Sequence, residues 1–182
     1  MQKLLIINGH ETYESSPGQL NRTMVEVMIE ELKGKFEIKT SVLEEGYDIA
    51  EERQKFLEAD VIIYQMPVFW FAAPSVLKKY MEEIFQIGVF YVRAPEYGRG
   101  GHLTDKKYML STTWNAPAEA FNTPGKFFDG RSVDEALIGF HLAQKYIGLQ
   151  PLPGFACFNV VKDPQIEQFK NDLRQHLQQV FS

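Results

Sequence analysis

Residues 61–85 read VIIYQMPVFWFAAPSVLKKYMEEIF, and this stretch decides the fold. It opens with the unbroken apolar run Val61-Ile62-Ile63-Tyr64, which suits a strand buried on both faces at the centre of a parallel sheet. The run breaks at Pro67, three aromatics follow at Phe69, Trp70 and Phe71, and Pro74-Ser75 restart the chain as a helix. Leu77, Tyr80, Met81, Ile84 and Phe85 recur at helical spacing, so that helix buries one face. A buried strand, an aromatic loop and a helix start, in that order, make a platform for a flat, partly anionic ligand. A flavin fits that description.

Outward from this stretch the same alternation continues. Lys3 to Asn8 reads as a short buried strand ended by Gly9. Phe36, Ile38, Thr40 and Val42 alternate and predict a second strand over 36–43 with one exposed face. Residues 107–113 are the fourth strand and the run GFACFNVV from Gly154 the fifth. The intervening patterns predict helices. In the first, Ser16 is read as N-cap, Pro17 as the first helical residue, and Gly34 as a left-handed C-terminal cap. A second helix covers 49–58. Ser132-Val133-Asp134-Glu135 is a capping box opening a helix that runs to Gly148. Asp163-Pro164 caps the last helix, striped by Ile166, Phe169, Leu173, Leu177 and Val180. Strand and helix alternate through one domain over residues 1–182, without repeats, which implies an α/β fold. The expected form is a five-stranded parallel sheet of order 2-1-3-4-5 with helices on both faces. That order places a crevice at the C-terminal ends of strands 1 and 3. The loops that meet there begin near residues 9, 67 and 114.

Composition narrows the classes. With 182 residues, 45% hydrophobic and 24% charged, the chain can bury a full core. A net charge of −5 with no basic block excludes a nucleic-acid footprint. No apolar run is long enough for a membrane span. The start MQKLLIINGH has too short an apolar core for a signal peptide and leads straight into a glycine turn. The single Cys157 forms no internal disulfide. A soluble cytoplasmic protein is expected. His10, His102, His141 and His176 lack metal-ligand spacing, so no metal is expected. Cys157 lies in a buried-looking strand and is not read as a catalytic thiol. The dinucleotide GxGxxG, the triphosphate-binding GxxxxGK[ST] and a nucleophile elbow are all absent.

Each of the three loops carries a chemical expectation. The first places Ser16, Gly18, Gln19, Asn21 and Thr23 at a helix start, where free N–H groups and the helix dipole suit a pyrophosphate; an ordinary N-cap is the alternative. In the second, three successive aromatics cannot all face the core, so at least one lines a cleft or a subunit contact. The third, Thr113-Trp114-Asn115-Ala116-Pro117, offers backbone donors to an edge that gains negative charge. Phe127 and Phe128 either wall a pocket for a second flat ring or pack in the core.

Taken in order, IINGH, SSPGQLNRT, QMPVFWFAAPSVLKKY, KKYMLSTTWNAPAEAF and PLPGF resemble the flavodoxin-like NAD(P)H:quinone oxidoreductases, the DT-diaphorase superfamily. Within it the resemblance is to the bacterial modulator-of-drug-activity-B branch. It implies a three-layer flavodoxin-like fold, tightly bound FAD, and NADPH or NADH as donor. It further implies ping-pong hydride transfer to a quinone or other small aromatic acceptor, in a homodimer with the site at the interface. Carried over by position, Ser16, Gly18, Gln19, Leu20, Asn21 and Thr23 hold the pyrophosphate. Pro67, Val68, Phe69, Trp70 and Phe71 meet the ring system, Thr113, Trp114, Asn115 and Ala116 its edge, and Tyr97 reaches the cofactor. Trp70, Trp114, Phe127 and Phe128 form the acceptor pocket, and no side chain is assigned a catalytic role, because the hydride chemistry belongs to the flavin. There are two departures. Residues 115–131 hold neither the Tyr nor the His that relay protons in DT-diaphorase, and Val68 replaces a Gly. The alternatives are a flavodoxin-type FMN electron carrier and a regulatory or interaction subunit on the same fold.

Overall fold

The computed structural model describes residues 1–182. Its strands are β1 (Gln2–Asn8), β2 (Phe36–Val42), β3 (Val61–Pro67), β4 (Lys107–Thr113), β5 (Gln150–Pro151) and β6 (Phe155–Cys157). The helices are α1 (Gln19–Leu32), α2 (Ile49–Glu58), α3 (Ser75–Ile84), α4 (Val133–Ala136), α5 (Ile138–Tyr146) and α6 (Ile166–Val180). All pairings are parallel, in the order β2-β1-β3-β4-β5, with β6 also on β4. β3 is buried along its whole length, as its apolar run requires.

Alternate residues feed two cores. Leu4, Ile6, Val61, Ile63 and Met109 face α1 and α6. Leu5, Ile7, Ile62, Tyr64 and Leu110 face α2, α3 and α5. Buried Glu52 joins the second layer: Ser41 donates to it at 2.6 Å, Tyr80 at 2.9 Å and Lys55 at 2.5 Å. Two cations close helix ends from a distance. Arg53 donates to Glu83 O at 2.7 Å and Ile84 O at 3.2 Å, and Lys106 to Leu57 O and Ala59 O at 2.8 and 2.7 Å. Replacing Arg53 by Met removes two charged bonds and leaves Glu83 O without a donor, which should cost about 1.5–3 kcal/mol. Urea denaturation of the variant checks this.

Four expectations need correction. The predicted single fifth strand is two short ones, because Pro151 and Pro153 carry no N–H to donate and the chain bulges between them. The helix predicted over 132–148 has the expected capping box at Ser132 but breaks at Leu137, whose ψ is 23°. Beyond the break, Gln144 of α5 accepts a bond of 2.8 Å from Tyr64. Asp163 does not cap α6, since its carboxylate takes the Gln165 side-chain amide at 2.7 Å. Gly34 is not left-handed; α1 ends on Lys33 in ordinary helical geometry.

Candidate functional site

The C-terminal ends of β1, β3 and β4 deliver three loops to one edge of the sheet. The first begins at Gly9, whose N–H donates to Gln65 O at 2.9 Å. His10 turns inward and is buried, with Nε2 3.0 Å from Ser16 O. Gly18 lies directly over that imidazole at φ 74°, and a Cβ there would collide with the ring. Glycine is therefore required both for the left-handed backbone and for the close approach. Sequence reading missed His10; its signal was a histidine at a strand end, eight positions before a glycine at a helix start.

This geometry overturns the predicted capping of α1 by Ser16. Gly18 is the N-cap and has no side chain to offer, so α1 starts at Gln19 without a side-chain cap. The N–H groups of Gln19, Leu20 and Asn21 find no acceptor in the chain. No acidic side chain occupies the first turn. An uncapped helix end with aligned free donors is suited to an anion. Thr23 donates its hydroxyl into the helix, to Gln19 O at 3.0 Å. Asn21 is buried, and its amide is bonded inside the protein, to Asn8 Oδ1 at 2.5 Å and from Gln65 Nε2 at 2.8 Å. Of this segment, then, backbone amides rather than the Asn21 side chain face the loop.

Glu44, just after β2, ties the first loop down. Thr12 donates to it from its hydroxyl at 2.7 Å and from its backbone at 3.0 Å, and Arg22 stands 3.6 Å away. The Thr12 hydroxyl bond is the main reason the Glu44 carboxyl titrates below its ordinary 4.5, with His10 and Arg22 adding attraction. A lowered native pKa means that the carboxylate stabilises the tether above the unfolded value, and that this is lost as pH falls through the native one. The Thr12 amide proton resonance should accordingly shift on acidification with a midpoint below 4.5, and Glu44→Gln should remove that titration.

The second loop is a two-residue hairpin. Phe69 and Ala72 exchange both backbone bonds, at 3.1 and 3.0 Å, which leaves Trp70 and Phe71 as the central residues. Their φ values are 48° and 63°, the left-handed pair that Asn-Gly usually supplies. Two bulky side chains in this conformation are strained by about 1–2 kcal/mol each. Trp70 is nevertheless 93% exposed and Phe71 50%. Phe71 packs on Phe127 and Phe128, at 5.4 and 5.9 Å, whereas packing in this chain explains neither the strain nor the exposure of Trp70. Tyr13 of the first loop meets Phe69 edge-on at 5.5 Å, joining the two loops.

In the third loop Trp114 is not where the sequence placed it. Its ring is 3% exposed, packed against Phe121 and Phe128 with Nε1 on Thr112 Oγ1 at 2.9 Å. Its backbone N–H is taken by Cys157 O at 2.8 Å. Trp114 is core and offers nothing to a ligand. The next two N–H groups, of Asn115 and Ala116, have no acceptor in the chain and are the free donors of this loop. The Phe pair divides likewise. Phe128 is buried and stacks on Phe121 at 4.1 Å, whereas Phe127 is 74% exposed and stacks on Phe71 at 5.4 Å. Of the four residues of the expected acceptor pocket, Trp70 and Phe127 are exposed, and Trp114 and Phe128 are buried.

Tyr97 is not brought to these loops. It is 91% exposed and stands beside Tyr146, 5.6 Å away, in a cavity of about 760 Å³ lined also by Tyr91, Phe85 and Lys145. No residue of the three loops lines that cavity. No group of three or more His, Cys, Asp or Glu side chains could hold a metal. Burial pushes the Cys157 thiol up to about 12, so it is no nucleophile near neutral pH.

A fold of this topology is a doubly wound α/β fold, in which ligands bind outside the carboxyl ends of the strands at the switch point. The model of the flavodoxin-like fold family matches residues 2–180. The chain is 40% identical to the NADPH:quinone oxidoreductase MdaB of Haemophilus influenzae, over 98% of each sequence. It belongs to this flavodoxin-like family and, within it, to the group that contains MdaB. Among solved structures it is similar to the general stress protein 14 of Treponema denticola in complex with FMN, with TM-score 0.72, 21% identity and 99% of both chains covered. It is also similar to the NAD(P)H:quinone oxidoreductase of Methanothermobacter marburgensis, with TM-score 0.72, 15% identity and 96% of both chains covered.

Proposed function

We propose that this protein is a flavin-dependent NAD(P)H:quinone oxidoreductase. The observation that carries the reading is that two loops at one sheet edge hold free donors, the Gln19–Asn21 amides and the Asn115–Ala116 amides, and that the loop of the strand between them exposes Trp70. When bound, a flavin supplies a hydride acceptor and donor, so NAD(P)H and quinone use one place in turn. The chain's part is to bind, orient and exclude water. The α1 end holds the phosphates, Pro67 to Phe71 carry the ring face, and the Asn115 and Ala116 amides stabilise charge on the ring edge. Trp70 and Phe127 sandwich the flat donor or acceptor. No side-chain proton relay is assigned; solvent and backbone serve. FAD is the proposed cofactor, on the resemblance to MdaB-type enzymes, although the Treponema relative is in complex with FMN.

The proposal includes a homodimer. In a single chain Tyr97 and its cavity stand apart from the three loops. A second copy that brought Tyr97 to Trp70 and Phe127 would cover both exposed surfaces and complete the site. No helix is long and apolar enough to cross a membrane; a cytoplasmic enzyme working on small quinones is the proposed setting.

Purified protein should be yellow and release FAD on denaturation, identified by chromatography against FMN. It should oxidise NADPH or NADH with menadione as acceptor and sediment as a dimer. Protein that takes up neither flavin, or that binds flavin but turns over neither nucleotide, sinks the enzyme reading.

A further inference from the structure

Asn8 pairs in register with Gln65, and Gln65 with Ser111, so one residue of each of β1, β3 and β4 stands in a single row across the sheet. The buried residues of the rows before it on the same face are apolar, Leu4 with Val61, then Ile6 with Ile63 and Met109; exposed Lys107 ends the first of these rows. The face turns polar in the last row that all three strands share. α1 lays Asn21 over that row, and all four side chains are buried.

Their bonds run one way. Ser111 Oγ donates to Gln65 Oε1 at 2.7 Å, Gln65 Nε2 to Asn21 Oδ1 at 2.8 Å, and Asn21 Nδ2 to Asn8 Oδ1 at 2.5 Å. Asn8 Oδ1 also takes the His10 backbone N–H at 3.3 Å, where the first loop leaves the sheet. Each amide orients the next, so the row behaves as a unit. Its ends lie under different loops. Ser111 is two residues before Thr113 at the third loop, whereas Asn21 and Asn8 hold the start of α1 and of the first loop.

We propose that Ser111, Gln65, Asn21 and Asn8 form a positioning ladder that couples the two ends of the flavin site. It fixes the spacing between the free amides of α1 and those of Asn115 and Ala116, so that phosphate and ring are held in one geometry. The inference rests on the flavin reading above and goes beyond it by assigning roles to Asn8, Gln65 and Ser111. It also gives the Asn21 side chain a positioning role in place of ligand contact, while its backbone amide stays free. None of the four touches the reacting atoms. Without the Ser111 hydroxyl, Gln65 Oε1 has no donor and the amide is free to turn, which releases Asn21 at the far end.

The test compares FMN with riboflavin, which lacks the phosphate, by fluorescence titration of apoprotein. The ratio of the two dissociation constants reports what the phosphate contributes. Ser111→Ala, at the ring end, should shrink that ratio by about fivefold or more, the signature of coupling between separate sites. Ser111→Thr, which keeps the hydroxyl, should restore it. Asn8→Ala supplies the reciprocal arm: placed at the phosphate end, it should weaken riboflavin itself by a similar factor.

A role confined to packing would lower the melting temperature of the apoproteins and leave the ratio within about twofold of wild type, which would overturn the ladder. Wild-type protein that binds none of FAD, FMN and riboflavin would instead overturn the flavin reading, and the ladder with it; if FAD binds and FMN does not, the same ratio is read between FAD and riboflavin.

Discussion

Replacing Trp70 by Asn should make the apoprotein more stable and the enzyme much worse. Trp70 sits at φ 48° in a two-residue turn and is 93% exposed, so its side chain contributes strain and little packing within the chain. Asn tolerates the left-handed region far better, and relief of about 1 kcal/mol is expected. For a domain of this size that raises the melting temperature by about 2–4 °C. Turnover with menadione should fall by at least about tenfold, a loss of about 1.4 kcal/mol or more of transition-state binding, because the exposed indole is the proposed wall for the flat donor and acceptor. Strain retained at an exposed aromatic is a cost that a binding role accounts for. Unchanged stability together with unchanged turnover would make the turn incidental.

Gln19→Glu should separate helix stability from anion binding. Gln19 is exposed at the first position of α1, where neither a side-chain cap nor an acidic residue is present. A carboxylate there complements the helix dipole by about 0.3–1 kcal/mol, so the apoprotein should be as stable as wild type or slightly more so. The same charge would stand within a few ångströms of the proposed phosphate position. Repulsion at about 4 Å amounts to about 1 kcal/mol in water and about 4 kcal/mol near a protein surface. Flavin affinity should therefore fall by about tenfold or more, and added salt should recover part of it. A titration at two salt concentrations decides the matter. Unaltered affinity would move the phosphates away from the α1 end.

The segments that were legible in the sequence share one property. Val61 to Tyr64, Leu4 to Ile7 and the α3 stripe are long, regular apolar patterns, and a pattern repeated over several residues has only one element that buries it. Alternation and handedness implied a doubly wound sheet, and 2-1-3-4-5 was expected as a common order for five such strands. The three loops were found because Gly, Pro and aromatic residues cluster where strands end. What misled was local chemistry with two uses. Ser16-Pro17 resembles a cap, yet the collision that a Cβ at Gly18 would make with His10 shows a different turn, and no spacing rule reports that collision. Trp114 resembles a pocket residue, yet Phe121 and Phe128, from further along the same connection, fold back and bury it.

The sequence by itself therefore determined the architecture and the segments that reach the C-terminal edge of the sheet, because periodicity and topology are properties of the chain as written. The tertiary structure alone decided which groups of those segments are free to act. Hydrogen-bonding capacity is spent by partners far away in sequence: Cys157 takes the Trp114 amide, Gln65 takes the Asn21 side chain, and Glu44 takes Thr12. A buried donor bonds whatever acceptor lies within reach. What remains for a ligand is the remainder after those bonds are made, and only the folded chain shows it: the amides of Gln19 to Asn21, those of Asn115 and Ala116, and the strained, exposed pair Trp70-Phe71.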